Sequence, residues 1–175
     1  MTDTLSQDDL LSILLHNRIF TGLLPGDMHK MLDACTLHSF APGETIYSRH
    51  TPAKAGFFLL TGRVELQSQV IPGQTRANQI YTAGNPFGIE GLVKTWDRPE
   101  TCVAVEASQA LRLEGTTLST LLDAADPAAF RLSDHIMEHF VEAVREANRT
   151  LHDLYVRPDR TLALLRELHS AQENN

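Results

Sequence analysis

The stretch FAPGETIYSRHTPAKAGFFLLTGRVEL, residues 40–66, decides the fold. Three turn signals, Pro42-Gly43, Thr51-Pro52 and Thr61-Gly62, punctuate short runs rich in Phe, Ile, Tyr, Leu and Val. Such runs are strands: branched and aromatic side chains fit a pleated surface, and Pro and Gly end each run before a helix could establish itself. Gly43 and Gly62 stand where a barrel corner needs positive φ. Ile46, Phe58, Leu60 and Val64 are expected to alternate into the core.

Working outward, the same texture continues to about Leu113, with further turns at Pro72-Gly73, which reads as a hairpin tip, and Gly84-Asn85. Strand-sized segments at this spacing indicate a sandwich or jelly-roll barrel. Upstream, Leu10, Leu11, Ile13, Leu14 and Leu15, then Met28, Met31 and Leu32, recur at helical spacing on either side of Pro25-Gly26, which predicts short helices over 7–17 and 26–34. Downstream, Asp126 is a candidate N-cap and Pro127 suits the first helical position of a long helix. With Met137 at heptad position a, Val144 and Leu151 follow at a, and Phe140, Ala147 and Leu154 fall at d. Val141 and Tyr155 widen the stripe. This apolar seam predicts a homodimer joined through the helix. Pro158 ends it, before a short amphipathic segment and a polar tail.

The expected class is α+β, in four parts: a helical segment 1–35, a small β jelly-roll barrel 36–125, a dimerisation helix 126–157, and a short helix and tail 158–175. Of the 175 residues 42% are hydrophobic, which suits one domain with an ordinary core. Lys and Arg number 15 against 22 Asp and Glu, a net charge of -7, which argues against a surface for nucleic-acid phosphates. No apolar run is long enough to span a bilayer, and the N-terminus lacks the pattern of a signal peptide. A cytoplasmic protein that does not engage a membrane is expected. Cys35 and Cys102 are the only cysteines and have no metal-ligand spacing, so both are expected to be buried thiols.

The order of helices, barrel and long helix, with Pro42, Gly43, Glu44, Ile46, Leu59, Gly62 and Val64 in place, resembles the cyclic-nucleotide-binding domains of the Crp/Fnr regulators from about Phe20 to Leu168. That resemblance implies a sensor half whose long helix forms a dimer. RTLALLREL resembles the first helix after the hinge in those regulators; the sequence ends at Asn175, so a module without its own DNA-binding domain is expected.

The resemblance also implies a phosphate-binding cassette within GNPFGIEGLVKTWDRPETCVAVE, residues 84–106. In binders the cassette resembles F-G-E-x-x-L followed by R-[ST]-A-x-V, with Glu holding the ribose and Arg the cyclic phosphate. Phe87, Gly88 and Leu92 match, and Thr101 is a further candidate of the cassette. Ile89 stands where the glutamate belongs and the acid follows as Glu90. Arg98 falls early, while Pro99 or Glu100 takes the arginine position. A carboxylate at Glu100 opposes a phosphate. This spacing is more similar to the Fnr/FixK branch, without the N-terminal cysteine cluster of its oxygen sensors. The expected cassette is therefore degenerate. The alternative is a genuine cAMP or cGMP sensor using Arg98 and Glu90.

One competing motif is His135-Ile-Met-Glu138-His139, the inverted zincin order H-x-x-E-H. Only 36 residues follow it, without an evident third ligand or cleft, so a zinc hydrolase is a remote alternative; no catalytic or metal residues are assigned. Nothing singles out a haem ligand. Trp96, the lone tryptophan, falls in the loop after Leu92 and either packs on the barrel, the commoner place for a lone loop aromatic, or stands exposed as an anchor for a partner. The function expected is a non-enzymatic regulatory module without a cofactor, cyclic nucleotide being the open exception, that acts through an unidentified protein partner.

Overall fold

A computed structural model describes residues 23–71 and 74–157, together with Ser12, Phe20, Asp159 and Leu162. The expected helix over 7–17, the tip at Pro72-Gly73 and most of 158–175 lie outside the described residues. Helix α1 (Pro25–Asp33) precedes strands β1 (Thr36–Phe40), β2 (Thr45–Tyr47), β3 (Ala55–Thr61), β4 (Arg63–Ile71), β5 (Gln74–Thr82) and β6 (Pro86–Phe87). Then come α2 (Glu90–Val93), β7 (Thr101–Ala104), β8 (Ser108–Glu114), α3 (Gly115–Asp123) and α4 (Pro127–Val156). The chain divides into two compact units, Met1–Ile136 and Met137–Asn175, a division that falls inside α4.

The strands form two antiparallel sheets, in the orders β1-β8-β3-β6 and β2-β7-β4-β5. Their facing sides supply one apolar cluster: Phe57, Leu59, Phe87 and Ala110 from the first sheet, Val64, Leu66 and Cys102 from the second. Ile46 and Tyr47 pack against it, partly buried. Gly43 and Gly62 turn their corners at φ 81° and 84°, as the turn signals require.

Strand β3 buries more than expected: Phe58 and Leu60 enter the core, and so do their neighbours Phe57 and Leu59 on the opposite face. Phe57 and Leu59, not Phe58 and Leu60, point between the sheets, and Phe58 meets Phe20 edge-on at 4.7 Å on the other face. The strand is buried on both faces from Ala55 to Leu60, and a continuous apolar run carries no alternation from which its phase could be read. Phase therefore comes from pairing, with Phe57 opposite Phe87 and Arg112.

Helix α1 begins with Pro25 in its first turn and buries Met28 and Met31, three residues apart and thus on one face. It is tied to the base of α4 by two ion pairs, Lys30 Nζ to Asp126 Oδ2 at 3.1 Å and Arg131 to Asp27. Asp126 also caps α4 as expected, its Oδ1 accepting from the Ala128 N–H at 2.8 Å. These three contacts anchor the start of a helix whose Ala128, Ala129, Leu132 and Ile136 are buried. Among the described residues no helix is long and apolar enough to cross a membrane.

Candidate functional site

The candidate site is the segment from β6 to β7. Phe87 anchors it by stacking on Phe57 at 5.1 Å inside the barrel. Gly88 then takes φ 60°, and a Cβ there would lie 2.7 Å from Arg98 Nη1 and 3.1 Å from the Tyr47 ring. Only glycine fits, for backbone and for space. The turn winds directly into α2, with Gly91 N–H on Gly88 O at 3.3 Å and Leu92 N–H on Ile89 O at 3.0 Å. A Cβ on Gly91 would stand 2.5 Å from Ala55 O, so α2 lies directly on the start of β3. Ile89 and Leu92 are buried.

Arg98 reaches this turn from the far side of the loop. Its backbone is pinned in a short ladder: Arg98 N–H donates to Thr51 O and His50 N–H to Arg98 O, both at 2.8 Å, with Asp97 bridged to Pro52. The side chain turns inward and is only 3% exposed. Nη1 donates to Gly88 O at 2.8 Å and to Glu90 Oε1, and Nη2 to Ala55 O at 2.6 Å. The guanidinium carbon sits 4.0 Å from the centre of the Tyr47 ring. The side chain of Glu90 is 34% exposed, so one end of the ion pair is dry and the other reaches solvent.

The sequence candidates are thus distributed as follows. Phe87, Gly88, Glu90 and Arg98 converge in one cluster, while Ile89 and Leu92 face the barrel. Glu100 is partly buried, and its charge, with that of Glu90, is felt at Tyr81 and Cys102. Thr101 Oγ1 accepts from the Arg49 N–H at 3.1 Å and so fastens β7 to the chain beyond β2. Burial, then Glu100 and Glu90, pushes the Tyr81 phenol up to about 12; burial first of all pushes Cys102 up to about 12 and raises Tyr47 further. Tyr47 and the Ala55 carbonyl were missed by sequence reasoning. Tyr47 lies in the quoted stretch, two residues after the strand begins, but no motif attaches it to a cassette some forty residues away.

Beyond the cassette, Trp96 takes the less common of its two expected places: it is exposed, with Lys94 Nζ 5.7 Å from its ring centre. Its backbone is held, Ala53 N–H donating to Trp96 O at 2.6 Å, so the ladder orders the loop while the indole points out. On α4, His135 and His139 are partly buried and Glu138 is exposed. Among the described residues no group of three or more His, Cys, Asp or Glu could hold a metal ion. The expected dimer seam lies open in the single chain: Met137, Val144 and Leu151 are 56%, 58% and 63% exposed, Val141, Ala147, Leu154 and Tyr155 are exposed too, and Phe140 is partly buried. Phe130, exposed and seven residues before Met137, occupies the same heptad position and was not foreseen.

Residues 37–125 match the family described as the cyclic nucleotide-binding domain, and the chain belongs to it. A curated relative from Rhodopseudomonas palustris, named for a potassium channel, is 27% identical over 121 residues; the match takes in 69% of this chain but 28% of the relative. Among solved structures, the Thermus thermophilus catabolite activator protein superposes with a TM-score of 0.71 at 22% identity, covering 79% of this chain and 63% of that one. The sensor domain of the Pseudomonas aeruginosa transcriptional regulator DNR gives 0.63 at 21%, covering 80% and 94%. The fold is thus the jelly-roll of the cyclic nucleotide-binding domain, shared with both of these structures.

Proposed function

We propose that this chain is a regulatory sensor module in which the cassette is a structural element, and that it signals as a homodimer through contact with another protein. The observation that carries the reading is the state of Arg98. A phosphate-binding arginine must offer unsatisfied N–H groups to solvent; here the guanidinium is buried, paired with Glu90, stacked on Tyr47 and shared between two main-chain carbonyls. Glu100 adds negative charge nearby, and Ile89, at the position a ribose-holding glutamate would take, is buried. A cyclic phosphate would have to displace Glu90 and tolerate Glu100.

The homodimer rests on the exposed a and d positions of α4, a continuous apolar stripe on a soluble helix face being the mark of a helical seam. Sedimentation equilibrium should give a dimer for the native chain and a monomer for Val144→Glu. The second reading, a cAMP or cGMP sensor using Arg98 and Glu90, draws on membership of the family. Isothermal titration with both nucleotides, beside Arg98→Ala, separates the two. Absence of heat up to millimolar ligand is expected; micromolar binding abolished by Arg98→Ala would overturn the first reading.

A further inference from the structure

We propose that Glu90 is the specificity residue of this cassette: its carboxylate is a built-in counter-ion that occupies an anion seat on Arg98, and removing its charge opens that seat to a phosphate-class ligand. The inference rests on the structural role of Arg98 argued above.

A buried guanidinium without a counter-charge is strongly unfavourable, so a pocket that holds one is by construction a seat for an anion. Three acceptors meet the terminal nitrogens of Arg98: the carbonyls of Gly88 and Ala55 and the carboxylate of Glu90. The carbonyls belong to the fold, and Glu90 is the charged one. It is also the one that reaches water, about a third exposed where Arg98 is buried, so the place of its carboxylate is the approach from solvent to the guanidinium. The backbone of the seat is held by contacts that do not use the Glu90 side chain. Gly88 is fixed by its own φ and by the ring of Tyr47, and α2 by the contact of Gly91 with Ala55. Tyr81 stands beside Phe87, their ring centres 6.3 Å apart, and burial, then Glu100 and Glu90, pushes its phenol up to about 12. Glu90→Gln therefore leaves the seat assembled, with a buried cation in need of an anion. Inorganic phosphate is the minimal occupant, and the phosphate of a cyclic nucleotide the larger one.

The test is isothermal titration of the full chain, native and Glu90→Gln, with inorganic phosphate, cAMP and cGMP at constant ionic strength. Thermal melts in phosphate against chloride accompany it, and Glu90→Ala serves as a second variant. At least one of these ligands is expected to bind Glu90→Gln tenfold or more tightly than the native chain, and the gain should vanish in the Glu90→Gln/Arg98→Ala double variant. Phosphate bound tightly with both nucleotides rejected identifies the seat as one for a bare anion and supports the proposal. Folded Glu90→Gln and Glu90→Ala that bind no ligand better than the native chain overturn it. If the variants do not fold in chloride, recovery of the native circular dichroism in phosphate supports it, and no recovery overturns it. Micromolar nucleotide binding by the native chain would instead sink the structural reading of Arg98, an outcome distinct from failure of the variants alone.

Discussion

Replacing Arg98 by alanine should destabilise the protein, whether or not any ligand is present. The carbonyls of Gly88 and Ala55 lose a buried donor, and a main-chain acceptor left unsatisfied costs about 1–3 kcal/mol. The stack on Tyr47, at 4.0 Å, contributes about 0.5–2 kcal/mol more. Glu90 re-enters water from its partly exposed position, so losing the ion pair itself adds little. Two such acceptors and the stack sum to about 2.5–8 kcal/mol, and water entering the vacated space brings the cost to the lower part of that range, about 3–5 kcal/mol. Urea unfolding followed by circular dichroism measures it: with a slope of about 2 kcal/mol per molar, the midpoint should fall by about 2 M. Arg98→Lys keeps the charge but not the planar fork and should recover less than half of the loss. An arginine kept only for an absent ligand would behave oppositely, because freeing such a residue from its site costs the apo fold almost nothing. A midpoint within about 0.5 M of the native value, equal to about 1 kcal/mol on the same slope, would refute the structural role.

Three further outcomes follow from other parts of the molecule. Ala125 closes α3 at φ 54°, a conformation that strains any residue with a Cβ, so Ala125→Gly should raise the unfolding free energy by up to about 1 kcal/mol in the same urea assay. The Ala128 N–H and, next, Lys30 hold the Asp126 carboxyl below its usual range, so its contribution is fully present above the unfolded value of about 3.9 and fades as pH falls through the lower folded value. The stability gap between native protein and Asp126→Asn, followed from pH 6 to 2.5, should accordingly close at the acid end. Burial pushes Cys35 and Cys102 each up to about 12, so a thiol reagent at pH 8 should react slowly with the folded protein and label both cysteines readily in urea.

The barrel was legible because its corners are written in residues with few alternatives. Gly43 and Gly62 have positive φ, Pro25 and Asp126 begin helices, and each does so for a reason local to its own segment. What was not legible was set between segments. The phase of β3 depends on Phe20 and on pairing with β6 and β8, and a run apolar on both faces conceals it. The same limit hid the cassette. Displacing Glu90 and Arg98 by one position each would separate their side chains on an extended strand, but Gly88 turns the chain into a helical turn, and there the two residues meet. Tyr47 and Ala55, which complete the seat, belong to other strands and carry no motif. Trp96 lies exposed on an ordered loop because the ladder to residues 50–53 runs through its backbone, an arrangement composition does not report.

Thermal melting of the native chain with and without 1 mM cAMP or cGMP tests the central claim most directly. A ligand at about one hundred times its dissociation constant stabilises by about 2.7 kcal/mol, which for a chain of this size raises Tm by about 5–10 °C. A cassette whose arginine is already occupied by Glu90 predicts a Tm unchanged within about 1 °C, the shift expected of a ligand too weak to engage the site. A rise of about 5 °C or more with either nucleotide would contradict the account.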